Sequence, residues 1–271
     1  MKDKRIAVVG LGTGGSAVAD MLARAGAGSV GKGQLILVDP DALSEENCKR
    51  HVLNRMWVGK SKVVGMAEHI FTVAPKCDTV LLLKKFDELR SIKIPARRWP
   101  GLAEGGGCLY QRQIGDGVFG RKPDLIVSCV DSLACESLIN AYSLENKVPA
   151  VYGGVHGDAH TAEVITVIPG VTPCYECYER EGPLPEPGQE AYTDPGYDKT
   201  KMPHQEGLWC DVLMAAALQV QAVLGVLGIR EKLSPLVLMK LRYPFTLEPV
   251  NQKPGCAICT DKMEALRGIQ L

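Results

Sequence analysis

The residues whose types and spacing could do chemistry fall into three groups. Gly10, Gly12 and Gly15 fit G-x-G-x-x-G between the apolar run RIAVVG and the helix-like SAVADMLARAGAG. In that context the first glycine permits a tight turn, and the second lets a phosphate approach the backbone at a helix N-terminus. The other possibility is a tight strand-to-helix connection with no ligand. Asp39 follows 24 residues after Gly15, at the end of QLILVD, where a carboxylate can accept hydrogen bonds from ribose hydroxyls.

The second group begins at that aspartate. DPDALSEENCKRHVLNRMWVGKSK places Asp39, Asp41, Asn47, Arg50 and Lys62 in one segment just past the sheet edge. The glycine turn and Asp39 alone fit NAD, FAD or ATP equally. A dehydrogenase has no use for several cationic groups beside its ribose carboxylate, whereas a triphosphate with leaving pyrophosphate does.

The third group is sulfur. Cys174 and Cys177 in PCYEC and Cys256 and Cys259 in GCAIC are two C-x-x-C pairs, the ligand set of a closed, structural tetrahedral zinc site. Such a site would staple the end of the chain to the segment after the central sheet. The remaining cysteines, Cys48, Cys77, Cys108, Cys129, Cys135 and Cys210, read mostly as small buried hydrophobes.

Elements must position these groups. RIAVVG, QLILVD, DTVLLLK, DLIVSCV, VPAVYGG and AEVITVIP are short Val- and Ile-rich runs separated by helix-like segments. That alternation predicts an α/β fold: a Rossmann-like, mostly parallel sheet with helices on both faces. Pro, Gly and Arg break the pattern between Phe86 and Lys122, and a second irregular stretch with five prolines runs from Arg180 to Gly207. The run CDVLMAAALQVQAVLGVLG, apolar almost all round but flanked by polar sequence, predicts a buried core helix. We read one domain over residues 1–271, with a nucleotide-binding core at 1–170 and the cysteine pairs and second irregular stretch in 171–271.

Bulk properties narrow the partners. With 31 Lys plus Arg against 31 Asp plus Glu, no net field draws the chain onto nucleic acid or an anionic membrane. MKDKRIAVVG enters an apolar strand with no signal-peptide pattern, so the expected location is cytoplasmic.

Taken in order, VVGLGTGGSAVADMLARAGAG, LVDPDALSEENCKR, VGKSK, SCVDSLACESLIN and PCYEC resemble the ThiF/MoeB/HesA family, which includes the adenylation domains of ubiquitin-activating enzymes. The resemblance implies ATP-dependent adenylation of the C-terminal carboxylate of a ubiquitin-like or sulfur-carrier β-grasp protein, with release of pyrophosphate. A downstream conjugating or sulfur-transfer protein and a homodimer are implied as well. By match, Asp39 binds ribose, Asn47, Arg50 and Lys62 surround the phosphates, and Arg50 stabilises the transition state. Asp131 matches an aspartate that helps hold Mg²⁺; it could also serve as an N-cap for the following helix. Ser132 stands where the family usually has Asn. Many members also carry an N-terminal arginine that reaches the partner subunit's ATP site; here Arg5 or another residue takes that part, or the contact is absent.

Cys210 lies where a long helix begins, so the dipole favours its thiolate, and relatives that form a thioester or persulfide keep their working cysteine in a comparable region. A packing role is the alternative. Cys108, flanked by glycines in AEGGGCLYQR, is a second candidate. The five histidines show no metal-site spacing and read as ordinary polar residues. Two further functions stay open at this point: a non-catalytic nucleotide-binding subunit of an activating heterodimer, and an NAD- or FAD-dependent oxidoreductase.

Overall fold

A computed structural model describes residues 1–85, 119, 121–155, 161–179, 208–241 and 244–250. Cys108, Cys256, Cys259 and nearly all of both irregular stretches lie outside the described residues.

The first half alternates strand and helix: β1 (Arg5–Val9), α1 (Thr13–Arg24), β2 (Gln34–Val38), α2 (Lys62–Val73), β3 (Thr79–Leu82), β4 (Leu125–Ser128), α3 (Leu133–Asn146) and β5 (Ala150–Val155). Then come β6 (Thr161–Val167), α4 (Tyr175–Glu179), α5 (Trp209–Val226), β7 (Leu236–Lys240) and β8 (Leu247–Val250). All eight strands join one sheet in the order β3-β2-β1-β4-β5-β6-β7-β8.

The first five strands pair in parallel, with Ile6 opposite both Leu35 and Leu125. The last three are antiparallel additions. The sequence pattern therefore anticipated the parallel part but not β7 and β8. β8 carries Pro249 and pairs only with β7, as an edge strand that never had to be apolar on both faces.

Buried strands β1, β2, β3 and β4 are apolar on both faces because helices cover both. Ile6, Val8, Leu35 and Leu37 pack with α1, α2 and α5 on one side. Ala7, Val9, Ile36 and Val38 face Ile139, Leu144 and Tyr175 on the other. By length and composition alone α5 is apolar enough to cross a membrane. Here it is a core helix, burying Ala215, Leu218, Val220, Ala222 and Val223 against α1, β5 and β6.

This order places the topological switch between β1 and β4, which run side by side while their connections leave in opposite directions. Open α/β sheets bind ligands in the crevice outside the carboxyl ends of such a pair. The glycine turn follows β1 and Asp131 follows β4, so the fold brings both to that crevice.

Candidate nucleotide site

The glycine turn is built by close backbone contact. Gly10 has φ +86°, and a β-carbon there would stand 2.6 Å from the Cys129 carbonyl oxygen at the end of β4. A β-carbon on Gly15 would stand 1.9 Å from the Gly10 carbonyl oxygen. Gly10 and Gly15 are thus required by the protein itself, as the turn reverses and α1 closes onto β1 and β4. Gly12 differs: it is the N-cap of α1, and a β-carbon on it would meet nothing within 4 Å. The space above Gly12 is what a phosphate approaching the α1 N-terminus would use.

Asp39, 5% exposed, anchors this turn. One carboxylate oxygen accepts the Leu11 N–H at 2.6 Å and the other accepts the Asp41 N–H at 2.8 Å. Burial pushes the carboxyl above its ordinary value; the Lys62 ammonium and the two N–H donors pull the other way.

Lys62 returns to this carboxylate across 21 residues because the intervening chain folds back on itself. Leu43 exchanges backbone hydrogen bonds with Lys60 and Gly59, and the Lys62 N–H donates to the Asp41 carbonyl. As the first residue of α2, Lys62 is buried, with its ammonium 3.0 Å from Asp41 Oδ2 and 3.7 Å from Asp39 Oδ1. Between these ends lies a 3₁₀ turn, Glu46–Arg50, which carries half-buried Asn47 and Arg50. Asn47 folds back to accept the Ser44 N–H at 3.1 Å.

Asp131 is exposed, and among the described residues no hydrogen bond or ion pair engages its carboxylate. The cap of α3 is Ser132, whose hydroxyl accepts the Cys135 N–H at 3.4 Å. The capping alternative for Asp131 is therefore corrected: the serine supplies that acceptor, and Asp131 is left exposed just past the carboxyl end of β4, a hard oxygen donor of the kind Mg²⁺ takes.

α5 contributes from one side. A β-carbon on Gly14 would lie 3.9 Å from Val212, so the first turn of α5 stands against the first turn of α1. Cys210 is exposed in that turn, beside Asp211, which caps its own helix by accepting the Leu208 N–H. Cys129 is of another kind: burial pushes its thiol up to about 12, and its proton points to Gln219.

Cys174 and Cys177 are buried with their sulfurs 3.9 Å apart. Tetrahedral zinc at about 2.3 Å from each thiolate separates two sulfurs by about 3.8 Å, and a disulfide would bring them to about 2.05 Å. The first knuckle has the spacing of a metal edge. Among the described residues no group of three or more metal-ligating side chains forms, and Cys256 and Cys259 lie outside them.

Two residues stand differently from expectation. Arg5, at the amino end of β1, is buried and donates to the Phe119 and Arg121 carbonyls, away from the crevice at the strand's other end. It ties the amino end of β1 to the chain that leads into β4. His51, read as an ordinary polar residue, is 7% exposed, with Nε2 at 2.8 Å from the Leu11 carbonyl and Nδ1 accepting the Leu53 N–H at 2.9 Å. The signal that could have found it is its position directly after Arg50 and before the apolar pair Val52–Leu53.

Comparison with known proteins agrees with this architecture. Ubiquitin-like modifier-activating enzyme 5 of Drosophila mojavensis is 30% identical over 177 residues, covering 65% of this chain and 40% of that protein. The Drosophila simulans enzyme of the same name is 28% identical over 183 residues, covering 65% and 39%. The chain thus spans about two fifths of the length of these curated relatives. Among solved structures, Escherichia coli MccB with ATP superposes with a TM-score of 0.66 at 18% identity, over 95% of this chain and 67% of that one. The microcin C7 biosynthetic enzyme MccB in complex with N-formylated MccA gives 0.67 at 19% identity, over 95% and 68%. At such identity these structures speak for the fold. The sequence model of the ThiF family matches residues 1–266, and with a glycine turn, acidic strand end and cysteine pair in their places, the chain belongs to the ThiF family.

Proposed function

We propose that the chain is an adenylyltransferase that activates the C-terminal carboxylate of a ubiquitin-like or sulfur-carrier β-grasp protein with ATP. The observation that carries this reading is Gly12: of the motif's three glycines, only this one has open space where its β-carbon would stand. A fold with no ligand there has no steric need for glycine at that position.

In this reading the triphosphate lies over the α1 N-terminus, with Asp39 and Asp41 toward the ribose. A carrier carboxylate oxygen attacks the α-phosphorus, the bond from the α-phosphorus to the bridging oxygen breaks, and pyrophosphate leaves with that electron pair. Lys62, Arg50 and Asn47 stabilise the charge that grows on the phosphates, with Arg50 at the centre of that task. Asp131 would hold Mg²⁺, which offsets the triphosphate charge and fixes its geometry.

Cys210 is the proposed acceptor of the activated acyl group. The contact between α5 and the α1 first turn supports this, since Cys210 is exposed in the same turn of α5 as Val212, which meets Gly14. Its thiolate would attack the acyl carbon and expel AMP. The curated relatives' name supports a ubiquitin-like substrate, and the similarly folded MccB in complex with N-formylated MccA supports a macromolecular partner at such a fold. A homodimer, a downstream conjugating or sulfur-transfer protein and a cytoplasmic location complete the proposal.

The test is ATP–pyrophosphate exchange with candidate carriers, followed by mass spectrometry. Exchange that depends on the carrier, and a reducible carrier adduct absent in Cys210→Ser, are expected. Bound flavin or nicotinamide with no exchange would overturn the reading.

A further inference from the structure

The Leu11 peptide, between the first two glycines of the turn, is held from both sides. Asp39 accepts its N–H at 2.6 Å, and His51 Nε2 lies 2.8 Å from its carbonyl oxygen. On the far side of the same ring, Nδ1 accepts the Leu53 N–H at 2.9 Å. A backbone amide always carries its hydrogen, so Nδ1 is the bare nitrogen and Nε2 carries the proton it donates to Leu11. The imidazole is neutral and both nitrogens are engaged, which leaves it no free lone pair to act as a base.

These bonds join three segments far apart in sequence: the end of β2, the glycine turn, and the chain leaving the Glu46–Arg50 turn. A second tie runs beside them, as the Val52 N–H reaches Ser16 Oγ at 3.4 Å while that hydroxyl donates to the Thr13 carbonyl at 3.0 Å. Arg50 is the residue immediately before His51, so its backbone has no position independent of the ring. The three bonds through Asp39, Leu11 and His51 are buried and the Ser16 tie is partly so, and in such surroundings hydrogen-bonded chains are strong and a broken link is costly.

We propose, resting on the nucleotide-site reading above, that His51 is a positioning residue. As a neutral Nε2–H tautomer it clamps the Arg50 segment onto Leu11, fixing together the backbone at Gly12 that receives phosphate and the cation beyond it. His51 touches neither ATP nor the reacting carboxylate; it acts through Leu11 and Arg50.

The experiment compares the full chain with His51→Leu and His51→Gln. Leucine keeps the burial and removes both hydrogen bonds, while glutamine retains a donor and an acceptor in one side chain. Binding of ATP with Mg²⁺ by calorimetry requires no carrier. His51→Leu is expected to weaken it about tenfold, the equivalent of one lost hydrogen bond, and His51→Gln to restore it to within about threefold. ¹⁵N NMR of the wild-type imidazole should show a protonated Nε2 and a bare Nδ1, and amide exchange at Gly12 and Thr13 should quicken in His51→Leu.

If wild-type protein binds no ATP, the nucleotide reading fails, while the tautomer and the exchange rates still decide the clamp. Wild-type affinity in folded His51→Leu overturns the proposal. So does a loss that glutamine does not restore, which would mark a role in packing alone. If His51→Leu does not fold, the tautomer and the glutamine variant decide: a protonated Nδ1, or a glutamine variant weakened as much as a null site, overturns the clamp.

Discussion

Gly15 closes so tightly on Gly10 that a β-carbon on the one would lie 1.9 Å from the carbonyl oxygen of the other. Two glycines of one motif are therefore bound to the fold, while Gly12 between them faces open space. The difference separates stability from binding. Gly15→Ala should destabilise by about 3 kcal/mol or more, since the obstacle is backbone that cannot swing aside. Gly12→Ala should remain within about 1 kcal/mol of wild type, because its φ of −70° suits alanine, yet should lose ATP affinity. Urea unfolding alongside nucleotide calorimetry checks both; equal stability losses would remove the distinction.

Lys62 lies between a buried aspartate and an exposed one, with side-chain exposures of 5% for Asp39 and 63% for Asp41. Lys62→Met should reduce exchange by about a hundredfold through lost phosphate stabilisation. It should also lower the melting midpoint, since buried Asp39 loses its cation. Unchanged exchange kinetics in a folded Lys62→Met would take this residue out of the site.

Burial holds His51 at about 4 against an ordinary 6.5, with Lys62 and His69 acting in the same direction and the Leu11 carbonyl opposing. The unfolded chain binds this proton more readily, so its contribution to stability is complete above about pH 6.5 and is lost as pH falls toward 4. At pH 5 the loss should be about 2 kcal/mol. His51→Gln should remove that part of the slope, seen by comparing unfolding free energies of the two proteins at pH 7.5 and pH 5.

Ser132 caps α3, and in the proposed site its neighbour Asp131 would hold Mg²⁺. Asp131→Asn should leave the melting midpoint unchanged and abolish the Mg²⁺-dependent gain in ATP affinity. Ser132→Ala should cost about 1 kcal/mol, as loss of an N-cap does, and spare that gain. Titrating Mg²⁺ at fixed ATP for each variant distinguishes the roles, and an inverted result would reassign them.

The sulfur spacing at Cys174 and Cys177 predicts one zinc per chain, measurable by plasma emission. If both pairs complete one tetrahedron, as the C-x-x-C spacing proposes, Cys174→Ser and Cys256→Ser should each release it. Full zinc retention in either variant would refute a site shared by the two pairs.

How far the sequence alone reached follows from the range of the interactions involved. Local signals were legible: strand runs ending in glycine or aspartate, the turn motif, the Lys62 segment, and α5 as an apolar helix. Each rests on periodicity or on spacing along the chain, which a sequence displays directly. Left to the tertiary structure were the antiparallel strands β7 and β8, the cap at Ser132 in place of Asp131, the burial of Arg5 and the part played by His51. The place of His51 directly after Arg50 does not name its partner, since Leu11 lies 40 residues away and meets the ring only when the Arg50 segment folds across the α1 N-terminus. A hydrogen bond's strength depends on burial and on a partner brought by the fold, and neither property belongs to a residue before the chain has closed around it.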